Sequence, residues 1–374
     1  MYYITYYKQL TSGEITIEDV IRGITPPEPK TTYEKITIKT DTYKPPTNLQ
    51  SYRNRLHQLA LQATDFELID GMEQYYHHFK IPKHSGGWRD INAPNNDLKA
   101  YQKEVCMYFQ NTLKMLEHDA AYAYTKNRSS VDALKVHQAT GANWFFKADV
   151  SNFFPSHNED YIVAQLKRIY PMNYILQSTL AEMDLRTILK ACLLNDELPQ
   201  GSPLSPALTN ILMVPIDYEL RKALVNKEDN FYTYTRYADD IQITSPHNFN
   251  FNEITQIINS TFELFDAPFK LKPEKTRYGS KNGRNWNLGI MYNKNDELTL
   301  GHKRNQKLRA KIYQFFSDDL TEETKWSKMQ VQQLMGEVAY AKMVEPDYIN
   351  FVLNKYSTKF NKDFDALTKA YIGS

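Results

Sequence analysis

The chain is poor in cysteine. Its 374 residues contain only Cys106 and Cys192, which cannot build a disulfide framework and have no metal-site spacing. Both stand in apolar contexts and read as buried structural thiols. Long apolar runs are missing too: none approaches the roughly 20 residues needed to cross a bilayer. The opening MYYITYYKQLTSGEITIEDV has no basic start followed by an apolar stretch, so it does not read as a secretory signal. A cytoplasmic location without membrane attachment is the expectation. Charge of one sign is also lacking: 45 basic and 44 acidic residues leave a net +1, so bulk electrostatics alone do not point to nucleic acid, and local charge distribution decides.

What is present fits a folded protein. Hydrophobic residues make up 41% and charged residues 24%, enough to bury a sizeable core, and the length suggests two or three packing units. Residues 1–47 read as an appendage ending in two Pro-containing breaks, with TTYEKITIKTDTY alternating like a strand. Helical spacing covers 48–80, although Gly86-Gly87 marks a turn between short strands at 78–83 and 88–92. Further helices are expected at 97–118, 129–139, 158–169, 174–194, 204–224 and 251–267. A short aromatic strand is expected at 121–125, a buried strand at 143–150, and a strand–turn–strand over 275–293. Residues 297–374 read as mostly helical, with Leu334, Val338, Ala339 and Met343 on one face.

Against this background FYTYTRYADDIQITS, residues 231–245, stands out. Alternating Tyr, Thr and Ile predict two short strands, which leaves Ala238-Asp239-Asp240 at the hairpin tip, where little can neutralise two adjacent acids. Asp also tolerates turn geometry and solvates well, so an ordinary hairpin turn is the rival reading. A second acid, Asp149, ends the apolar run NWFFKADV and would emerge from the core at the floor of a pocket; helix capping is its alternative. LPQGSPLSP at 198–206 places Gly201 in a stiff loop running into a helix. Hard oxygen donors at such sites suit Mg²⁺, which keeps several waters and takes one or two carboxylates plus substrate phosphates.

Taken in order, FFKADVSNFF, LPQGSPLSPALTNIL and YTRYADD resemble the palm motifs of bacterial reverse transcriptases, a superfamily that includes retron, group II intron and phage-defence enzymes. GGWRDINAP resembles their fingers motif, AYAYTKNRSSVDALKVH the motif after it, LKPEKT a later palm motif and Asn287-Leu288-Gly289-Ile290 the primer grip. The resemblance covers roughly 50–345. It implies an α+β right-hand polymerase: fingers over 48–145, a palm of antiparallel sheet backed by helices over 146–293 with part of the fingers interspersed, and a helical thumb over 294–374.

The implied activity is RNA-directed DNA synthesis with two Mg²⁺ ions, Mn²⁺ being a possible substitute. Asp149, Val150, Asp239 and Asp240 become metal-site residues and Lys275 a proton donor to pyrophosphate. Phe154 becomes a steric gate against a 2′-hydroxyl, Gln200 and Gly201 contacts of the incoming nucleotide, and Arg89 and Lys83 fingers contacts of its triphosphate. Lys303, Arg304, Lys307, Arg309 and Lys311 would follow the duplex backbone, positions 304, 307 and 311 lying on one helical face. Expected partners are a structured RNA template, dNTPs and the DNA product, with an effector protein or a second copy of the chain as further possibilities. Asn287-Leu288-Gly289 and the DALKVH stretch depart from the usual retron pattern and point toward a defence-associated or domesticated enzyme. Two other readings stay open: synthesis that is template-independent or primed by a protein tyrosine such as Tyr2, Tyr3, Tyr6 or Tyr7, and an RNA-binding scaffold without catalysis.

Overall fold

A computed structural model describes residues 45–68, 71–83, 86–113, 117–225, 231–281, 287–318 and 326–373. The strand-like arm expected at 31–43 and the N-terminal tyrosines lie outside the described residues.

The central element is a four-stranded antiparallel sheet in the order β4-β5-β3-β6, built from β3 (Trp144–Asp149), β4 (Thr233–Tyr237), β5 (Asp240–Ser245) and β6 (Arg277–Ser280). Its interior strands bury nearly every position, as strands covered on both faces do: Phe145, Phe146 and Ala148 on β3, and Ile241 and Ile243 on β5, are all buried. One face packs on helices Leu204–Val225 and Phe251–Leu264 through Met213, Ile216, Ile254 and Ile258.

Two further cores flank this one. The first joins helices Leu49–Ala63, Asn96–Thr112 and Thr179–Cys192 with the start of Leu204–Val225. A separate hairpin of β1 (Tyr76–Pro82) and β2 (Trp88–Pro94) stands beside it, paired from Tyr76↔Pro94 to Pro82↔Trp88. The second gathers the C-terminal helices His302–Ser317, Lys328–Val344, Pro346–Phe360 and Phe364–Gly373. Val131 and Leu134 of helix Ser130–Ala139 pack into this C-terminal core, so that helix belongs by packing to a later part of the chain. Ser129 opens it with a capping box to Asp132.

Several expectations need correction. The helical reading of 48–80 holds only to Ala63; residues 72–75 form a 3₁₀ turn and β1 follows, so Phe66 and Leu68 continue the apolar spacing without continuing the helix. Residues 121–125 are turns with one bridge, Ala121 to Arg236. After β6 the chain does not return to the same sheet: β7 (Met291–Tyr292) pairs with β8 (Leu298–Thr299). On helix Lys328–Val344 the buried set is Val331, Leu334, Val338, Ala341 and Val344, whereas Ala339 and Met343 are exposed. Cys192 is buried as expected, but Cys106 is only half-buried. No helix among the described residues is long and apolar enough to cross a membrane.

Candidate active site

Successive strand residues face opposite ways. On β3, Phe146 and Ala148 pack toward the helices, which turns Lys147 and Asp149 to the other face. Asp149 ends the strand at 6% exposure, directly across the ladder from Asp240. The two-residue turn Ala238-Asp239 joins β4 to β5, so Asp240 opens a strand instead of sitting in the turn. The backbone fixes the third acid as well: Val150 N–H donates to the Asp239 carbonyl at 2.9 Å. Pairing and turn thus bring Asp149, Asp239 and Asp240 together, as the resemblance to the palm motifs implies.

Their mutual repulsion is visible. Burial, the Asp149 charge next, raises Asp239 above the ordinary carboxylate range. Asp240, whose side chain reaches solvent, is still pushed up to about 7, by desolvation first and then by Asp239 and Asp149. The acid that meets cations directly is Asp149, not the hairpin pair, both of whose carboxyls stay raised as expected of acids that little neutralises. Lys272 Nζ stands 2.6 Å from one Asp149 oxygen and Lys275 Nζ 2.6 Å from the other, and the Asp149 hydrogen bond raises the Lys275 pKa. A 3₁₀ turn at Pro273–Lys275, with about three residues per turn, puts both ammonium groups on one side.

As they stand, the described residues hold no cluster of three acidic, His or Cys side chains closed around a metal-sized point; Asp149 faces two lysines instead. The donor set nonetheless fits a hard divalent cation. It supplies three carboxylates, two of them raised by burial first and then by mutual repulsion, a repulsion that oxygen-seeking cations relieve. Val150 has an apolar side chain, so only its carbonyl oxygen could join them.

Phe154 lies in the turn after β3. It is half-buried, touching Phe153 at 5.7 Å and Tyr124 at 6.2 Å between ring centroids, while Phe153 is fully buried against His157 and Phe269. Tyr124 is exposed and has φ +60°. Its hydroxyl pKa is raised by desolvation first, then by Asp239 and Tyr237, and is drawn down by Arg89. Tyr124 therefore lies in the electrostatic reach of both the hairpin acids and the fingers-motif arginine. Arg89 and Lys83 are exposed on or beside the β1–β2 hairpin.

Gln200 is half-buried and its carbonyl accepts from Asn92 N–H at 2.7 Å. Gly201 has φ +123°, and a Cβ there would stand 2.8 Å from the Asn92 carbonyl. The close approach that needs this glycine is thus to strand β2. Ser205 donates to the Pro199 carbonyl and Ser202 to Gln102, which stiffens the loop and ties it to helix Asn96–Thr112.

Lys303, Arg304, Lys307, Arg309 and Lys311 are all exposed on helix His302–Ser317. Two of them are engaged within the C-terminal helices: Arg304 lies over the Tyr340 ring at 5.1 Å and Lys311 pairs with Glu337 at 2.6 Å. The face shared by 304, 307 and 311 therefore leans partly on its neighbour helix. Sequence reasoning missed Lys272, Tyr124 and the buried Arg236. The i, i+3 spacing of the two lysines across a proline could have flagged the first; nothing local signals the others.

Residues 81–320 match the protein family described as reverse transcriptase (RNA-dependent DNA polymerase). The chain is similar to the Retron Ec83 reverse transcriptase of Escherichia coli, 25% identical over 80% of this chain and 92% of that one. It is also similar to the Retron Ec73 reverse transcriptase of the same organism, 27% identical over 74% and 85%, and to the Retron Mx162 reverse transcriptase of Myxococcus xanthus, 30% identical over 59% and 47%. Among solved structures, apo telomerase from Candida tropicalis is 12% identical at a TM-score of 0.45, covering 81% of this chain and 62% of that one; a likeness this weak carries no weight for function.

Proposed function

The chain belongs to the reverse transcriptase (RNA-dependent DNA polymerase) family, and on that footing we propose that it extends a primer with dNTPs on an RNA template, using Asp149, Asp239 and Asp240 to hold two Mg²⁺ ions. The observation that carries this reading is the cross-strand pairing of Asp149 with Asp240, with Asp239 tied to Val150 by a backbone hydrogen bond. When bound, such cations would supply Lewis-acid activation of the attacking hydroxyl and charge stabilisation of the leaving oxygen.

The remaining roles fall to the chain's own groups. Asp149 and Asp239 would hold the ions, with Asp240 behind them and the Val150 carbonyl oxygen as a further donor. Lys275, kept protonated by its carboxylate partner, holds a proton at Nζ that pyrophosphate can accept. Arg89 and Lys83 grip the triphosphate from the hairpin, and Gln200 and Gly201 support the nucleotide from below. Phe154 collides with a 2′-hydroxyl and so favours dNTPs. Lys303, Lys307 and Arg309, with Arg304 and Lys311 beside them, follow the duplex through phosphate contacts.

In this reading 48–145 act as fingers, 146–293 as palm and 294–374 as thumb. Similarity to a retron enzyme across 92% of that enzyme's length favours a retron-like or phage-defence setting, with a structured non-coding RNA as template. The test is primer extension: purified protein should incorporate dNTPs on a primed RNA template with Mg²⁺. Protein that binds the RNA yet incorporates nothing with Mg²⁺ or Mn²⁺ would favour the scaffold reading. Sequencing RNA and DNA that co-purify from the host should reveal a structured RNA with cDNA matching part of it.

A further inference from the structure

Beneath the acidic hairpin lies a charged group that the proposed chemistry does not use. Arg236, in β4, is 1% exposed and Asp217, on helix Leu204–Val225, is 0% exposed. Their contact is bidentate: Nε donates to Asp217 Oδ1 at 2.8 Å and Nη2 to Oδ2 at 2.8 Å. Tyr234 Oη donates to the same carboxylate at 2.7 Å. The remaining nitrogen, Nη1, donates to Asn210 Oδ1 at 3.1 Å and to the Ala238 carbonyl at 3.2 Å.

Ala238 is the first residue of the turn that carries Asp239, and it has φ +56°. A left-handed φ at the first position of a two-residue hairpin turn is a glycine place. An alanine there costs about 1 kcal/mol or more and persists only where its surroundings fix it. Here the guanidinium donates to its carbonyl. The same network reaches the segment ahead of Tyr124: Asn210 Nδ2 donates to the Ala123 carbonyl at 2.8 Å, and Arg236 exchanges backbone hydrogen bonds with Ala120 and Tyr122.

A buried ion pair is weak evidence of stabilisation, since apolar residues of like volume often hold a fold as well. What apolar residues cannot do is join a helix carboxylate and a turn carbonyl through one rigid plane; the planar fork of arginine can. We propose that Arg236 is a positioning residue, which clamps the Ala238 carbonyl to Asp217 and so sets the height at which Asp239 and Asp240 face Asp149. The inference deepens the polymerase reading and rests on it for one of its two readouts.

The experiment is Arg236→Lys, which keeps a charge opposite Asp217 but has no second arm for Ala238. Two quantities are read on protein matched to wild type in melting temperature: Mn²⁺ affinity of the nucleic-acid-free protein by calorimetry, and kcat and KM for dNTP normalised by active-site titration. Expected are losses of about tenfold in kcat and in Mn²⁺ affinity, with KM within about twofold. Wild-type values for both, or a kcat loss that vanishes on normalisation, overturn the proposal. An inactive wild type would instead sink the polymerase reading and leave the metal-affinity comparison to decide this one. Should Arg236→Lys not fold, the Asp217→Leu/Arg236→Met pair takes its place with the same outcomes. Should neither fold, wild-type protein labelled at arginine nitrogen and alanine carbonyl decides: slowly exchanging Nη protons coupled to the Ala238 carbonyl support the clamp, and a freely rotating guanidinium overturns it.

Discussion

Asp149 and Asp240 face each other as a direct cross-strand pair in an antiparallel ladder. Like charges opposite one another destabilise a sheet, and here the strain is met by two lysines that both approach Asp149 from a single 3₁₀ turn. A divalent cation held by the proposed site would therefore compete with the lysine ammonium groups for the same carboxylate.

That competition predicts the effect of Lys272→Met. A unit charge 4 Å away is worth about 4 kcal/mol at an effective dielectric of 20, and solvent screening leaves a fraction of it. Divalent-ion affinity of the free protein should rise about tenfold, roughly 1.4 kcal/mol, measured by calorimetry with Mn²⁺. A weakened affinity would mean that Lys272 orients Asp149 for the metal and does not compete with it.

Phe154→Ala opens space beside the Tyr124 ring. Losing one steric contact in a substrate pocket changes discrimination by roughly 1–3 kcal/mol, or about 10–200-fold. The ratio of kcat/KM for dNTP over NTP should fall by an amount in that range. An unchanged ratio would return Phe154 to a packing role.

Gly201→Ala should cost stability through its contact with strand β2, besides any effect on the nucleotide. The new methyl would meet the Asn92 carbonyl at 2.8 Å with φ at +123°, in a region where side chains are strained by about 1–3 kcal/mol. Thermal unfolding should shift downward by several degrees. Full stability would show that the loop can leave strand β2 freely.

Acid stability carries its own prediction. His137 is buried between Thr244 and Thr235 at 2.7 and 2.8 Å, and burial pulls its pKa to about 3. His157 is pulled to about 4. The unfolded chain, with His near 6.5, binds these protons before the folded one does. Stability is thus full above about pH 6.5 and falls with pH, by about 1.4 kcal/mol per unit per histidine. His137→Gln should flatten the fall between pH 6 and 4 in chemical denaturation; an identical slope would contradict the assignment.

The site was legible in the sequence where its signals were local. Asp149 ends a run of apolar residues, and Asp239-Asp240 interrupts an alternating pair of strands, so each acid's place was readable locally, and the resemblance to the palm motifs implied their meeting. The contacts that tune them were not legible. Lys272 reaches Asp149, and Arg236 reaches Asp217 and Asn210, only once the sheet and its backing helix have assembled. The fold failed to read wherever apolar spacing ran past a break. Phe66 and Leu68 continue a helical pattern although the helix has ended at Ala63. Residues 287–293 look like the return strand of a hairpin, yet Asn287 closes a tight turn onto Ile290 and the next strand pairs forward with Leu298–Thr299.

The central claim is that Asp239 holds catalytic metal, and Asp239→Asn tests it most directly. The amide keeps the size and the turn but removes the charge. Losing several kcal/mol of charge stabilisation corresponds to about 10³-fold in rate. Single-turnover incorporation of a dNTP on a primed RNA template should fall by at least that factor while primer–template affinity stays at the wild-type value. Incorporation by the variant at the wild-type rate with Mg²⁺ would contradict the account.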